Sequence, residues 1–318
     1  MNILITGVAG FIGFNTAMSL LKKGNIIYGL DSLDNYYSIK FKKIRLKELL
    51  SFKNFNFKKI DLNNKKKIDL FLVNKKIDIV VHYAAQAGVR YSFENPAKYI
   101  DSNFFGFLNI VLAAKKKNVK KIIYASSSSV YGDAKNFPVT EKHELRKKNI
   151  YSTTKCLNEE TAKLYNKLYG IDFIGLRFFT IFGEWGRPDM LIFKIFKSYL
   201  EKKPIVINNY GNHKRDFTYI GDVVKIVNKL INKKSKGNKI FNISSNDPIN
   251  ILDLLKRFQE KYKINIKYTG HHKADVFNTH GSNVKIKKFL KIKSFSKFYI
   301  NFFKTFEWYK KNKINKIT

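Results

Sequence analysis

Short apolar runs alternate with longer amphipathic stretches through the first 180 residues of the chain. Runs of strand length fall at Asn2 to Thr6, Ile26 to Leu30, Asn56 to Ile60, Ile77 to Val81, Lys121 to Ala125 and Phe173 to Leu176. Helix-like stretches begin near Phe11, Ile39, Asn64, Pro96 and Tyr151. Strand and helix in strict alternation predict an α/β fold, with a parallel sheet covered by helices on both faces. Right-handed crossovers then make the sheet doubly wound, with its ligand crevice at the carboxyl ends of the strands. After residue 180 the rhythm loosens: helices are expected near 189–202, 220–233, 250–263 and 296–311, with short strands and turns between them. The pattern divides the chain into a doubly wound domain over 1–179, with a returning segment near 216–240, and a smaller C-terminal domain over 180–318.

Composition narrows the reading. With 44% hydrophobic and 15% aromatic residues in 318, the chain can bury a sizeable core. No apolar run approaches the roughly 20 residues of a membrane span, and the N-terminal MNILITG enters a strand pattern directly, so a cytoplasmic protein is expected. The single cysteine, Cys156, cannot form an internal disulfide. The six histidines (82, 143, 213, 271, 272, 280) show no metal-ligand spacing, so no metal site is expected.

The net charge of +37 raises the question of nucleic acid. Only seven of the 61 basic residues are Arg (45, 90, 146, 177, 187, 215, 257), and the Lys residues are scattered in pairs and triplets over the whole length. Groove and phosphate readers cluster Arg for its planar fork. A dispersed Lys excess reads as a solvated surface, and no nucleic-acid partner is expected.

Candidate chemistry begins at Gly7-Val8-Ala9-Gly10-Phe11-Ile12-Gly13, directly after the first strand and opening a helix. Glycines in this position give a tight turn, let backbone N–H groups approach a pyrophosphate and allow helix to pack closely on strand. Asp31 closes the second strand about 18 residues past Gly13, where a carboxylate accepts hydrogen bonds from the adenosine ribose and repels a 2′-phosphate. With no Arg following closely, NAD is favoured over NADP. A second site is Tyr151-Ser152-Thr153-Thr154-Lys155. Residues four apart share a helix face, and an ammonium beside a phenol is expected to lower the phenol pKa, making Tyr151 a usable acid and base. Before it lies Ala125-Ser126-Ser127-Ser128-Ser129-Val130-Tyr131-Gly132, a hydroxyl cluster at a carboxyl strand end.

Together these segments resemble the extended short-chain dehydrogenase/reductase family, within it the NAD-dependent nucleotide-sugar epimerases, and among those the UDP-glucuronate 4-epimerase group. The resemblance runs over nearly the whole chain: GVAGFIG at 7–13, DSLDNYYSIKFKKIRL at 31–46, HYAAQAGVRYSFENPAKYIDSN at 82–103, YASSSSVYG at 124–132, YSTTK at 151–155, LRFFTIFGEWGRPDM at 176–190 and NYGNHKRDFTYIGDVV at 209–224. It implies a Rossmann-type sheet and a bound NAD contacted by Gly7, Gly10, Phe11, Ile12, Gly13, Asp31, Asp61, Leu62, Ala84, Ala85 and Lys155. It also implies that Tyr151 takes the proton of the sugar 4-hydroxyl while NAD takes the C4 hydride, with Ser127 bonded to the same oxygen and Lys155 on the nicotinamide ribose. The 4-keto sugar then turns over and the hydride returns to its other face. For the UDP-sugar, the resemblance implies contacts from Arg90, Ser127, Ser128, Ser129, Thr180, Arg187, Arg215 and Asp275. Of these, Thr180 and Arg187 would meet a uronate carboxylate, Arg215 the diphosphate and Asp275 the uridine ribose. A homodimer is implied through the helices starting near Pro96 and Tyr151. UDP-glucose or UDP-N-acetylglucosamine is the alternative substrate. Dehydration is disfavoured, since Ser127-Ser128-Ser129 supplies no carboxylate where nucleotide-sugar dehydratases look to carry an Asp-Glu pair.

Overall fold

The computed structural model describes residues 1–270 and 276–318. Strand β1 (Asn2–Thr6) runs through the glycine turn into α1 (Phe11–Leu21), and the alternation continues as β2 (Ile26–Asp31), α2 (Ile39–Leu50), β3 (Phe55–Lys59), α3 (Lys65–Leu72) and β4 (Ile79–His82). Two short helices, α4 (Tyr91–Glu94) and α5 (Pro96–Tyr99), lead through a π-helical segment, Ile100–Phe105, into α6 (Gly106–Lys116). Next come β5 (Lys121–Ser127), α7 (Ile150–Tyr169), β6 (Asp172–Phe178) and β7 (Thr180–Phe182). The remainder is α8 (Leu191–Glu201), β8 (Ile205–Ile207), β9 (Lys214–Tyr219), α9 (Ile220–Asn232), β10 (Asn238–Ile243), β11 (Pro248–Asn250), α10 (Ile251–Gln259), β12 (Ile266–Tyr268), α11 (Val284–Leu290) and α12 (Phe298–Lys311).

Seven strands form one sheet in the order β10-β6-β5-β4-β1-β2-β3, every neighbouring pair parallel. This is the doubly wound α/β sheet that the alternation implies. Strand order reverses between β1 and β4, which opens the crevice at their carboxyl ends. The two-residue period of the strands sorts their side chains between two cores. Ile3, Ile5, Ile27, Val81, Ile123 and Ile174 pack on one face with Phe14, Ala17 and Leu20 of α1 and Val223, Ile226 and Val227 of α9. Leu4, Val80, Ile122 and Phe173 pack on the other with Ile68 and Leu72 of α3, Phe107 and Val111 of α6, and Ala162 of α7. Burial on both faces is why these strands read as continuous apolar runs in the sequence.

β6 extends beyond the expected Phe173 to Leu176 because it is paired on both sides, by β5 and by β10. The segment that returns to the sheet is α9 followed by β10, so the strand itself lies at Asn238–Ile243, at the end of the expected interval and just beyond it. A separate core rich in aromatic rings joins Phe182, Phe193, Phe196, Phe258, Phe302, Phe306 and Tyr309. Around it lie a three-stranded sheet, β11-β9-β7, and the parallel pair β12-β8. Helix α11 has no counterpart in the sequence reading; only Ile286 and Leu290 of its seven residues are buried, too few to leave a periodic signal. Among the described residues no helix is long and apolar enough to cross a membrane.

Candidate active site

A cavity of about 430 Å³ opens at the carboxyl ends of β1, β2, β4 and β5. Its floor is the glycine turn. Gly7 sits at φ +69°, and a Cβ there would lie 2.7 Å from the Ala84 nitrogen, while one on Gly13 would lie 2.1 Å from the Gly7 carbonyl oxygen. Only glycine permits both the left-handed turn and this approach of α1 to β1. No side chain caps α1 at Gly10, so its first N–H groups stay open to the cavity lined by Gly10, Phe11, Ile12 and Gly13. Such an uncapped helix start suits a pyrophosphate.

Asp31 lines the same cavity and is also a turn anchor: its two carboxylate oxygens accept from Ala9 N (2.9 Å) and Leu33 N (2.8 Å). Burial pushes its carboxyl above the usual range, against those two bonds and the charges of Lys42 and Arg45. Lys42, supplied by α2, is the basic residue whose charge acts most on Asp31, and it also lines the cavity. Asp61 and Leu62 after β3 and Ala84 and Ala85 after β4 complete the lining on this side. Uncapped helix, glycine floor and strand-end carboxylate together fit the dinucleotide that the sequence implies.

At the other end stand Ser126, Ser127, Tyr151 and Lys155. Asn149 starts α7 with a capping box: its side chain accepts from Ser152 N at 2.9 Å, which fixes Tyr151 in the first turn. Ser127 lies beside Tyr151 on the cavity wall, its hydroxyl favouring the charged form of the phenol. Lys155 donates to the Ala125 carbonyl at 2.9 Å and lies 5.8 Å from the centre of the Tyr151 ring. Burial pushes the Tyr151 phenol up, and the influences that pull it down are the Ser127 hydroxyl and the Arg187 charge. The expected lowering by Lys155 therefore does not appear. The ammonium is itself buried and turned to a carbonyl, and burial pushes Lys155 down to about 8, opposed by Glu159.

Arg187 reaches this end of the cavity from the loop after β7, with its guanidinium paired to Asp189: Nε to Oδ1 at 3.0 Å and Nη2 to Oδ2 at 2.5 Å. Tyr36 donates to the same Asp189 at 3.3 Å. Among the described residues, this side-on pairing leaves the Nη1 end of the fork without a hydrogen-bond acceptor.

The other described residues expected to contact substrate do not line this cavity. Ser128 and Ser129 are outside the lining; the Ser129 hydroxyl bonds Ser127 at 2.9 Å. Thr180 lines a small adjoining cleft that shares Ile181, Arg187 and Met190 with the main cavity. Arg90 meets the Asn208 side-chain oxygen once that amide is turned so its nitrogen meets Thr269. Arg215 donates to the carbonyls of Lys214 and Phe277, each at 3.0 Å. Asp275 lies outside the described residues.

Four buried polar positions that brace the site escaped the sequence reading. Glu159 and Arg177 form a buried ion pair at 2.6 Å beneath the serine turn. Asn103, in the π-helical segment, accepts from Gln86 N at 2.6 Å and donates to Thr154 at 3.2 Å, tying the 84–88 loop to α7. Arg45, fully buried, donates to Ala9 O and Gly186 O, both at 3.0 Å, and to Trp185 O at 2.5 Å, joining the glycine turn to the loop that bears Arg187. The rarity of Arg in the sequence was the available signal for Arg45 and Arg177.

The dinucleotide floor and the Tyr-Lys-Ser end define a class. Residues 3–244 match the NAD dependent epimerase/dehydratase family, and the chain belongs to that family. It is 40% identical over 296 residues to the UDP-glucuronate 4-epimerase of Thermodesulfobacterium geofontis, a match covering 90% of this chain and 89% of that protein. Among solved structures it is similar to the UDP-glucuronic acid 4-epimerase of Bacillus cereus in complex with UDP-glucuronic acid and NAD. There the TM-score is 0.92 at 27% identity, covering 98% of this chain and 100% of that one. The UDP-glucose 4-epimerase of Thermotoga maritima is also similar, with a TM-score of 0.90 at 25% identity over 98% of this chain and 99% of that one.

Proposed function

We propose that the chain is an NAD-dependent 4-epimerase of UDP-sugars acting on UDP-glucuronate, interconverting it with UDP-galacturonate. One observation carries the reading: Tyr151, Ser127, Lys155 and Arg187 line the same cavity as the glycine turn and Asp31. The backbone of the 7–13 turn and Asp31, Asp61, Leu62, Ala84, Ala85 and Lys155 would hold the cofactor. When bound, NAD supplies a hydride acceptor and donor for C4 of the sugar, with no net redox change.

This chain's own groups move the proton. Tyr151 accepts it from the sugar 4-hydroxyl and returns it to the same oxygen, and Ser127 shares that oxygen through its hydroxyl. Lys155 keeps a positive charge at the end of the cavity and orients the ribose. Arg187 offers its Nη1 end to the uronate carboxylate, a charge-assisted contact that a neutral hexose does not need. Arg90, Arg215 and Asp275 are the proposed contacts to diphosphate and uridine, with Thr180, Ser128 and Ser129 around the sugar. In this division residues 1–179, with α9 and β10 returning, serve the cofactor, and the rest serves the substrate. A cytoplasmic setting suits NAD and a nucleotide sugar.

A homodimer through α6, α7 and the π-helical segment is part of the proposal. It is supported by exposed Phe105, Leu157, Leu164 and Leu168, from 37% to 56% accessible on those elements. Incubation with UDP-glucuronate, UDP-glucose and UDP-N-acetylglucosamine, followed by sugar analysis, tests the activity. Galacturonate formed from the first and little epimer from the others is expected. Failure to epimerise UDP-glucuronate, with turnover of a neutral sugar, would reassign the substrate.

A further inference from the structure

Three consecutive residues at the end of β5 each face one residue of a single stripe on α7. The Ala125 carbonyl accepts from Lys155 Nζ at 2.9 Å and the Ser126 hydroxyl donates to Glu159 Oε1 at 2.6 Å, while Ser127 faces Tyr151 across the cavity wall they share. Tyr151, Lys155 and Glu159 follow one another at intervals of four, so they rise along one helix face. Ala125 and Ser127 face the proposed catalytic groups. The Ser126–Glu159 contact sits behind them and is itself braced, since Arg177 donates from Nε to Oε1 at 2.9 Å and from Nη2 to Oε2 at 2.6 Å. Arg177 also donates to Tyr131 at 2.9 Å, which donates to Asn242 Oδ1 at 2.6 Å, so the brace extends from β6 to β10. Glu159 and Arg177 are only 7% and 5% accessible.

We propose that Glu159 is a positioning residue for the reaction, fixing residues 125–127 against α7 so that Ser127 meets Tyr151 and Lys155 keeps its place and its charge. Glu159 reaches neither cofactor nor sugar: it is absent from the cavity lining. It acts through Ser126, whose two neighbours carry the other two contacts. It is also the carboxylate that favours the charged form of Lys155 against burial. The remaining titratable groups around this cluster do not supply that counter-charge. His82 on β4 is held neutral by burial, its pKa pushed down to about 3. Burial raises the pKa of Tyr151 and Cys156 on α7, of Tyr99 on α5 and of Tyr124 on β5, which disfavours a negative charge on each. Arg177 on β6 is a cation, and Asp101 of the π-helical segment lies on the cavity lining.

The inference rests on the catalytic reading of Tyr151 and Lys155, so Tyr151→Phe is assayed first. If that variant stays active, the catalytic reading fails; if it is inactive, the outcome for Glu159 stands alone. Glu159→Gln keeps an acceptor for Ser126 and removes the charge. Expected is a fall in kcat of tenfold or more with KM for the UDP-sugar within twofold, and an alkaline limb of kcat moved to lower pH. Glu159→Asp, which retains the charge, should restore the position of that limb. A folded Glu159→Gln enzyme with wild-type kcat and pH profile would overturn the proposal. Should the single variant not fold because Arg177 is left buried without a counter-charge, Glu159→Gln/Arg177→Met removes both charges and is read in the same way. A wild-type pH profile in that double variant would equally overturn the proposal.

Discussion

Replacement of Arg187 by Met tests the substrate assignment, because the stem keeps its packing while the guanidinium is lost. In the structure the side-on face of the fork, Nε and Nη2, is held by Asp189, and the Nη1 end remains for a second carboxylate. A charge-assisted hydrogen bond of this kind is worth about 1.5–3 kcal/mol. Its loss corresponds to about a 10- to 150-fold fall in kcat/KM for UDP-glucuronate. The same substitution strands Asp189, whose carboxyl is pushed up by burial and held low by Arg187 and the Tyr36 bond. A stranded carboxylate repels the substrate carboxylate, so the single variant should lose more than Arg187→Met/Asp189→Asn. UDP-glucose carries no charge on its hexose and should lose less than threefold in either variant. The assay is initial-rate epimerisation of both sugars by chromatography, with melting curves to exclude unfolding. Equal losses for the two sugars would refute the assignment of Arg187 to a carboxylate.

The other expectations are independent of that pairing. Tyr151→Phe should abolish epimerisation in a chain that still melts cooperatively and binds NAD, measured by sugar analysis and cofactor content. Gly13→Ala should release NAD, since a Cβ 2.1 Å from the Gly7 carbonyl forces α1 away from the turn; cofactor absorbance after gel filtration reads this directly. Lys155→Met should be inactive yet more stable near neutral pH. Lowering a lysine from 10.5 to about 8 costs the folded state about 3 kcal/mol. Because the unfolded chain binds the extra proton between those values, the penalty is complete below pH 8 and fades toward pH 10.5. After the unpaired Ala125 carbonyl is counted, a net gain of about 1 kcal/mol at pH 7 should vanish by pH 10, and a stability difference that grows with pH would contradict it. Finally, a net charge of +37 should steer an anionic nucleotide, so kcat/KM should fall as salt rises from about 20 to about 500 mM; an unchanged value removes any role for the charge.

The sheet was legible in the sequence because its strands are buried on both faces and announce themselves as unbroken apolar runs, as Ile3-Leu4-Ile5 and Ile122-Ile123 do. The glycine turn and the Tyr151–Lys155 pair were legible because local geometry dictates their spacing. What lay hidden was whatever depends on distant partners. Glu159 looks like one more polar residue on an amphipathic helix until β6 brings Arg177 beneath it. Arg187 is the local exception: it reads as an open fork until the turn after β7 sets Asp189, two residues on, against one side of it. The direction of the Tyr151 shift was missed for a related reason: spacing puts Lys155 on the right face, but burial and the Ala125 carbonyl decide where its charge points. Scarcity of Arg was a signal the sequence reading did not use for Arg45 and Arg177, and both serve the scaffold.

The placement of β10 has a consequence for how the molecule is made. β6 is a central strand only because residues 238–243 return to pair with it, after a stretch of some sixty residues that builds much of the aromatic core. Until that return, a nascent or truncated chain presents β6 as an open edge, apolar on both faces, the kind of surface that recruits other chains. The seven-stranded sheet therefore cannot be completed on the ribosome until residue 243 has emerged. A fragment cut after residue 179 is a candidate for aggregation, and one extending through residue 243 regains the missing strand.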